Sequence, residues 1–403
     1  MAPAKKSDGP PSFVRLPNLA SLDVGAKVLF ATDDFFQVAE SMLKSDEPVF
    51  NDEYTEFGKW MDGWETRRKR IAGHDWCIVA LGLPGGIEGF EFDTAHFTGN
   101  QVPRASVQGI YIAPEDLPTL PARKSVMGSA ATEEDIKAVE ALGSDKWPEL
   151  LAQVDLKPGY PETRHNYFEA EKVGKVSHLR INLFPDGGIA RFRVHGVVDK
   201  DWSKVADDEE IDLVRVENGG LVLEVSDSHY GHPSRLLLSV PPKNMSSGWE
   251  TSTYLRASLK QHTVIKLGHP GLVEKVVLDT SWFKGNFPES VVVEAAFLPA
   301  GKTPNDRTTW HPLLPRARLG PHAAHSFAAS EGKLENADKP VSHVKLTMFP
   351  DGGIARFNVV GKVFRGPLPE PEPEESEDEE KAAKGKRKAK EDTTGGRKSA
   401  RRR

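Results

Sequence analysis

The nine residues FPDGGIARF occur twice, at Phe184–Phe192 and at Phe349–Phe357. Each copy lies in a longer matching stretch, VSHLRINLFPDGGIARFRVHG (176–196) and VSHVKLTMFPDGGIARFNVVG (341–361). Other pairs follow in the same order: ATDDFF (31–36) with VSDSHY (225–230), GWET at Trp64 with GWET at Trp249, and FDTAHFTGNQVP with LDTSWFKGNFP. WPELL at Trp147 answers WHPLL at Trp310, and TRHNYF near His165 answers AAHSFA near His325. A period of roughly 165–195 residues is far too long for a solenoid unit. The chain therefore reads as two homologous domains, residues 21–198 and 210–364.

The local pattern within each copy is that of β-structure. Val176, Leu179, Ile181 and Leu183 fall mostly at every second place, with His178, Arg180 and Asn182 between them. Val344, Leu346 and Met348 alternate in the same way. Period-two alternation marks a half-buried strand. VVLDTSWF and VVVEAAFL also read as strands, and frequent Gly and Pro punctuate them as in a sandwich. Two stretches read as helical instead: FFQVAESMLKS near 35–45, and TEEDIKAVEAL (132–142), an insertion without a counterpart in the second copy. The Pro, Asp and paired Gly of FPDGG suit a tight turn, which predicts a hairpin. Trp64 and Trp249 are expected in the core.

Composition bounds the rest. The single cysteine, Cys77, excludes an intrachain disulfide and fits a reducing compartment. MAPAKKSDGPPSF has no apolar core of a signal peptide, and no apolar run approaches the ~20 residues that span a bilayer. The chain reads as soluble and cytoplasmic, with no membrane partner. A net charge of −6 gives the body no electrostatic reason to bind nucleic acid. Residues 1–20 read as a disordered lead-in, and residues 366–403 as a disordered tail, acidic and then basic. The basic clusters fit a nuclear-import signal or an anionic docking site; a solvated tail is the plainer reading.

The ordered motifs resemble the allantoicase family. They are GWETRR with HDWCIV and FDTAHFTGN in the first half, NGGLVLEVSDSHYGHPSRLL and GHPGLVEKVVLDTSWFKGNFP in the second, and the FPDGGIARF stretches that close both. The resemblance covers about residues 20–364. It implies two tandem galactose-binding-like jelly-roll β-sandwich domains, an all-β fold with minor helices. It also implies hydrolysis of allantoate to ureidoglycolate and urea, a step in purine breakdown. The chain departs from the family in GWETSTYLR, where Ser252 and Thr253 replace the usual basic residues. A non-catalytic tandem ligand- or carbohydrate-binding module is the alternative the fold permits, and a scaffold acting through its tail is a third reading.

Releasing urea from allantoate needs a proton for the leaving ureido nitrogen, a base for water, and a cation for the carboxylate. His229 and His232 in SDSHYGHP are candidates for acid and base, with solvent-exposed loop histidines as the plainer reading. With His322 and His325, which repeat the spacing, they would form a divalent metal site if one exists. Glu65 and Glu250, each following a repeated Trp, are catalytic candidates, as is Lys284, which stands where the first copy has Thr98. Arg191, Arg356 and Arg67 are candidates for the carboxylate; Asn100, Asn286, Asp93 and Asp279 for the ureido groups. Each has a structural role as its plainer reading: salt bridge, turn or loop. A homo-oligomer is expected.

Overall fold

A computed structural model of the chain describes residues 10–252, 260–299 and 301–367. Both repeats lie in one compact unit, Met1–Phe297 with Pro304–Arg365. The other unit, Leu298–Thr303 with Gly366–Arg403, falls mostly outside the described residues, as do Thr253 and the acidic and basic clusters of the tail.

Each repeat is a jelly-roll sandwich organised by one 19-residue strand, Asp75–Asp93 or Gln261–Asp279. In the first repeat the front half of this strand pairs with Lys27–Ala31 and Lys175–Phe184. Its back half pairs with His165–Glu169 and Arg191–Val198. Arg104–Ile110 and Glu149–Asp155 extend the front sheet beyond Lys175–Phe184. The second repeat uses Leu221–Val225, Val341–Phe349, Ser290–Ala296 and His311–Arg318 in front, and Ala324–Ala328 with Arg356–Val363 behind. The long strand crosses between sheets at GLPGG (82–86), where it runs tightly against other backbone. A Cβ on Gly82 would lie 2.3 Å from the Val24 carbonyl oxygen, so only glycine fits.

The two sheets bury the alternating residues between them. Cys77, Val79, Phe90, Phe92, Leu179, Ile181, Leu183 and Phe192 are fully enclosed, and their equivalents continue the same core into the second repeat. Each large apolar side chain so buried contributes about 1.5–3 kcal/mol. Trp64 and Trp249 are also fully buried, and their indole N–H groups donate to the Asp33 and Asp227 carbonyls at 2.9 and 2.8 Å.

Three local expectations change. FPDGG is not a hairpin turn, because its flanking strands do not pair with each other. Lys175–Phe184 pairs with the front half of the long strand and Arg191–Val198 with its back half. FPDGG therefore carries the chain from one sheet to the other. The segment near 35–45 forms only a 3-10 turn, Ala39–Leu43. Gln37 is held by backbone hydrogen bonds to Glu65 and the Ala39 N–H by the Asp34 carboxylate, so no longer helix can start. The lead-in is packed from residue 10: Leu19 is fully buried and bonds to the Val194 carbonyl, while Phe13 sits against Gly89. The insertion does form a helix, Glu133–Glu140, closed by a Thr132–Asp135 capping box.

Candidate functional site

FPDGG builds a site by holding two other segments together. Gly188 and Ile189 pair with Glu65 and Trp64 of GWET. The Gly188 N–H donates to the Asn100 carbonyl at 2.8 Å, and the Thr66 N–H donates to the Gly187 carbonyl at 3.2 Å. Gly188 is required because a Cβ there would lie 2.0 Å from the Phe97 ring. The clamp brings the GWET turn and the TGN loop side by side, and the Asn100 amide donates to Glu65 Oε1 at 2.7 Å.

A pocket of about 360 Å³ opens over this pair. Its walls are Phe36, Phe50, Lys59, Met61, His96 and Thr98. Glu65 is 8% exposed and has no cationic partner among the described residues, and burial pushes its carboxyl up to about 7. The bond from Asn100 opposes that rise without cancelling it. Lys59 is the cation of the pocket. Among the described residues its one ion pair is with Asp52 at 2.8 Å, whose side chain is 81% exposed, so the pairing competes weakly with a ligand. His96 has φ +70° and its Nε2 donates to the Pro48 carbonyl at 3.3 Å.

The segment that leads into the inserted helix, residues 123–130, braces one wall. Arg123 donates to both oxygens of Glu40 at 2.7 and 2.8 Å and pairs with Asp34 at 2.8 Å. Ser129–Ala130 forms a short ladder with Asp33–Asp34, and the Gly128 N–H donates to the Phe35 carbonyl. Phe35 packs edge-on against Phe36 and Phe57 at 5.2 Å. The Asp33–Phe36 segment is thus pinned from outside the pocket.

The second repeat reproduces the frame. Gly353 and Ile354 pair with Glu250 and Trp249, the Gly353 N–H donates to the Asn286 carbonyl at 2.8 Å, and the Asn286 amide donates to Glu250 Oε1 at 2.5 Å. Trp282 repeats the positive φ of His96, at +74°. Tyr230 stands in the place of Phe36, because Gly231 bridges Glu250 as Gln37 bridges Glu65. Burial raises the Glu250 carboxyl as well. Lys284 is exposed in the same loop as Asn286.

Several expected site residues have other work. The Arg191 guanidinium is buried and committed to Asp62 at 2.6 Å and to the carbonyls of Asp46, Asp62 and Ala190. Arg356 spends its donors on the carbonyls of Val240, Ser247 and Ala355. Neither is offered to a substrate carboxylate. Arg67 pairs with Asp33 at 2.7 Å and covers the Phe35 ring. Asp93 is fully buried against Arg164 (2.9 Å from its Nε) and accepts from the Ala95 N–H; Asp279 accepts from the Ser281 N–H. Both act as anchors at the end of the long strand.

The four histidines do not assemble. His232 caps a 3-10 turn by accepting from the Ser234 N–H, and burial with nearby Arg235 holds its imidazole below the ordinary value. His229 is exposed beside Tyr230. His322 accepts from the Trp282 N–H at 2.8 Å. His325 donates from Nδ1 to the Leu278 carbonyl and accepts at Nε2 from the Gly320 N–H. In the first repeat Asn166 does the same between Phe92 and Lys157. His325 therefore corresponds to Asn166, one place along from the sequence match with His165.

Among the described residues one other group could gather around a cation, Glu91, Asp93 and His165. It is already neutralised. Arg193 is 3.0 Å from Glu91, Arg164 holds Asp93, and His165 and His195 also face Glu91, whose carboxyl they keep well below the usual range. A dication would have to displace two guanidinium groups, so this donor set does not fit one.

Lys59, Phe36 and His96 were not legible as site residues. Lys59 and His96 did carry a signal, since they flank the repeated GWET and TGN motifs in GKWMDGWET and AHFTGN.

A family model described as the allantoicase repeat matches residues 17–199 and 211–364. A probable allantoicase of Stutzerimonas stutzeri is 39% identical over 357 residues, covering 88% of this chain and 98% of that protein. One from Pseudomonas savastanoi pv. phaseolicola is 40% identical over the same length. The crystal structure of allantoicase from Saccharomyces cerevisiae superposes with a TM-score of 0.65 at 30% identity, covering 86% of this chain and 92% of that one.

Proposed function

The chain belongs to the allantoicase family, and from that premise we propose that its hydrolysis of allantoate to ureidoglycolate and urea runs in the first-repeat pocket with Glu65 as acid and base. The observation that carries this assignment is a buried carboxyl, without a cationic partner among the described residues and pushed up to about 7, that lines a pocket of about 360 Å³. Such a group is half protonated near neutral pH, which suits both halves of the reaction.

The steps balance on one proton. Lys59 pairs with the allantoate carboxylate. Protonated Glu65 gives its proton to one ureido nitrogen, the bond from that nitrogen to the central carbon breaks, and urea leaves. The remaining ureido nitrogen shares its lone pair with the electron-poor carbon. The Glu65 carboxylate then takes a proton from water as the water oxygen bonds to that carbon, giving ureidoglycolate and restoring the acid. No step calls for the strand-end aspartates or the four histidines.

Among the described residues no helix is long and apolar enough to cross a membrane. Matches to allantoicases over nearly their whole length disfavour the non-catalytic binding module. The test is urea release from allantoate by the full chain. Glu65→Gln keeps the shape and removes the acid, and is expected to lower the rate by more than about a hundredfold. A wild-type rate in this variant would remove Glu65 from the mechanism.

A further inference from the structure

The Glu250–Asn286 pair is more than a relic of the fold. It retains the orientation of Glu65 and Asn100, held by the same clamp from Gly353. A backbone role alone would be met by the loop carbonyl of Asn286, which already accepts from the Gly353 N–H. The side chains are additional. Within the described chain neither Glu250 Oε2 nor Asn286 Oδ1 is bonded to another residue. The pair thus presents two neighbouring acceptors. A ureido group presents two parallel N–H donors on the side away from its carbonyl, and these match two such acceptors.

The surroundings supply the other half of a ureido acid. Lys284 is exposed two residues before Asn286 and forms no ion pair among the described residues. The first repeat has Thr98 at that position and takes its cation from Lys59 instead. Each repeat therefore combines a Glu–Asn pair with one lysine, drawn from different loops. Tyr230 and Trp282, 51% and 42% exposed, are the aromatic residues at the positions of Phe36 and His96.

We propose that the second repeat carries a second site, for a ureido carboxylate, that binds its ligand without hydrolysing it. The difference from the first site lies in enclosure. Glu250 is only half-buried where Glu65 is buried. Among the described residues, the chain between Ser290–Ala296 and His311–Arg318 has no α-helix to match Glu133–Glu140. Burial raises the Glu250 carboxyl too, but a less enclosed carboxylate loses less of its hydration, so its charged form is penalised less than that of Glu65. This favours two N–H donors over delivery of a proton to the leaving nitrogen. The proposal rests on the reading of the first pocket for its template, but not for its test.

The probe is N-carbamoylglycine, a ureido carboxylate with one ureido arm and no second nitrogen to assist bond cleavage. Calorimetric titration of the full chain should give two equivalents. Glu250→Gln with Asn286→Ala should leave one, and Glu65→Gln with Asn100→Ala should leave one, with no urea released from allantoate by the latter. Lys284→Ala, an exposed change that keeps the fold, should weaken one of the two equivalents about tenfold. One equivalent in the unaltered chain, or two in the Glu250/Asn286 variant, would overturn the second site. Urea release by the Glu65/Asn100 variant would overturn its silence. Full activity in Glu65→Gln alone would sink the first-pocket mechanism while leaving the stoichiometry to decide the second site.

Discussion

The Asn100 amide lies 2.7 Å from Glu65 and donates to it, although the two residues are 35 positions apart. This bond moderates a carboxyl that burial pushes up to about 7. It favours the charged form, so its loss raises the affinity for the proton further. If protonated Glu65 starts the reaction, kcat/KM falls as pH rises through about 7. Asn100→Ala should move that falling limb to higher pH, as read from urea release across a pH series. An unmoved limb would separate Glu65 from the titration.

Glu65 also links activity to stability. Its folded carboxyl is raised from an ordinary 4.5 to about 7. A group raised on folding gives its full stability below the unfolded value and loses it as pH rises through the folded one. The loss at pH 8 is at most about 3 kcal/mol. Glu65→Gln should therefore raise Tm above pH 7 and leave it nearly unchanged at pH 4, while removing activity. Thermal unfolding at the two pH values checks the sign.

Lys59 should act on binding more than on chemistry. Its partner Asp52 is exposed, so Lys59→Ala leaves no buried charge behind. The expected result is KM raised about tenfold with kcat nearly constant, the pattern of a lost ground-state contact. Steady-state urea assays distinguish this from a fall in kcat.

Arg191 should behave as a structural residue. Arg191→Met strands the buried Asp62 carboxylate, which is left with Lys44 as its cation and the Val49 N–H as a donor. Breaking such a pair costs about 3–5 kcal/mol. Tm should fall steeply while KM of the remaining folded enzyme stays within about twofold. A large KM increase at unchanged Tm would restore Arg191 as a carboxylate ligand.

Arg123 should do both. It holds Asp34 and Glu40 with an 11% exposed side chain and pins the segment that ends in Phe36. Arg123→Met should lower stability by about 3–5 kcal/mol and raise KM beyond the loss of folded protein. Arg123→Lys keeps the charge but not the fork, and should recover stability better than KM. Unfolding curves and kinetics on one preparation separate the two effects.

The duplication, the sandwich and the family were legible in the sequence because their signals are local or periodic. Alternation along 176–184 reports burial through a pleat of fixed period, and repeated order reports a repeated domain without any knowledge of contacts. Glu65 and Asn100 could be singled out because each sits in a repeated motif. Their meeting depends on a third segment, the Gly188 clamp, and on Phe97 leaving no room for a larger residue there. The fate of Arg191 turns on Asp62, 129 positions away, and that of His325 on a one-residue shift in strand pairing. FPDGGIARF shows the same division. Its residues announce a turn, but whether a turn joins two paired strands or two separate sheets is settled by the partner strand, here the long Asp75–Asp93. Residue chemistry and spacing are properties of the chain; which charge is neutralised, buried or left open to a ligand is a property of its neighbours in space.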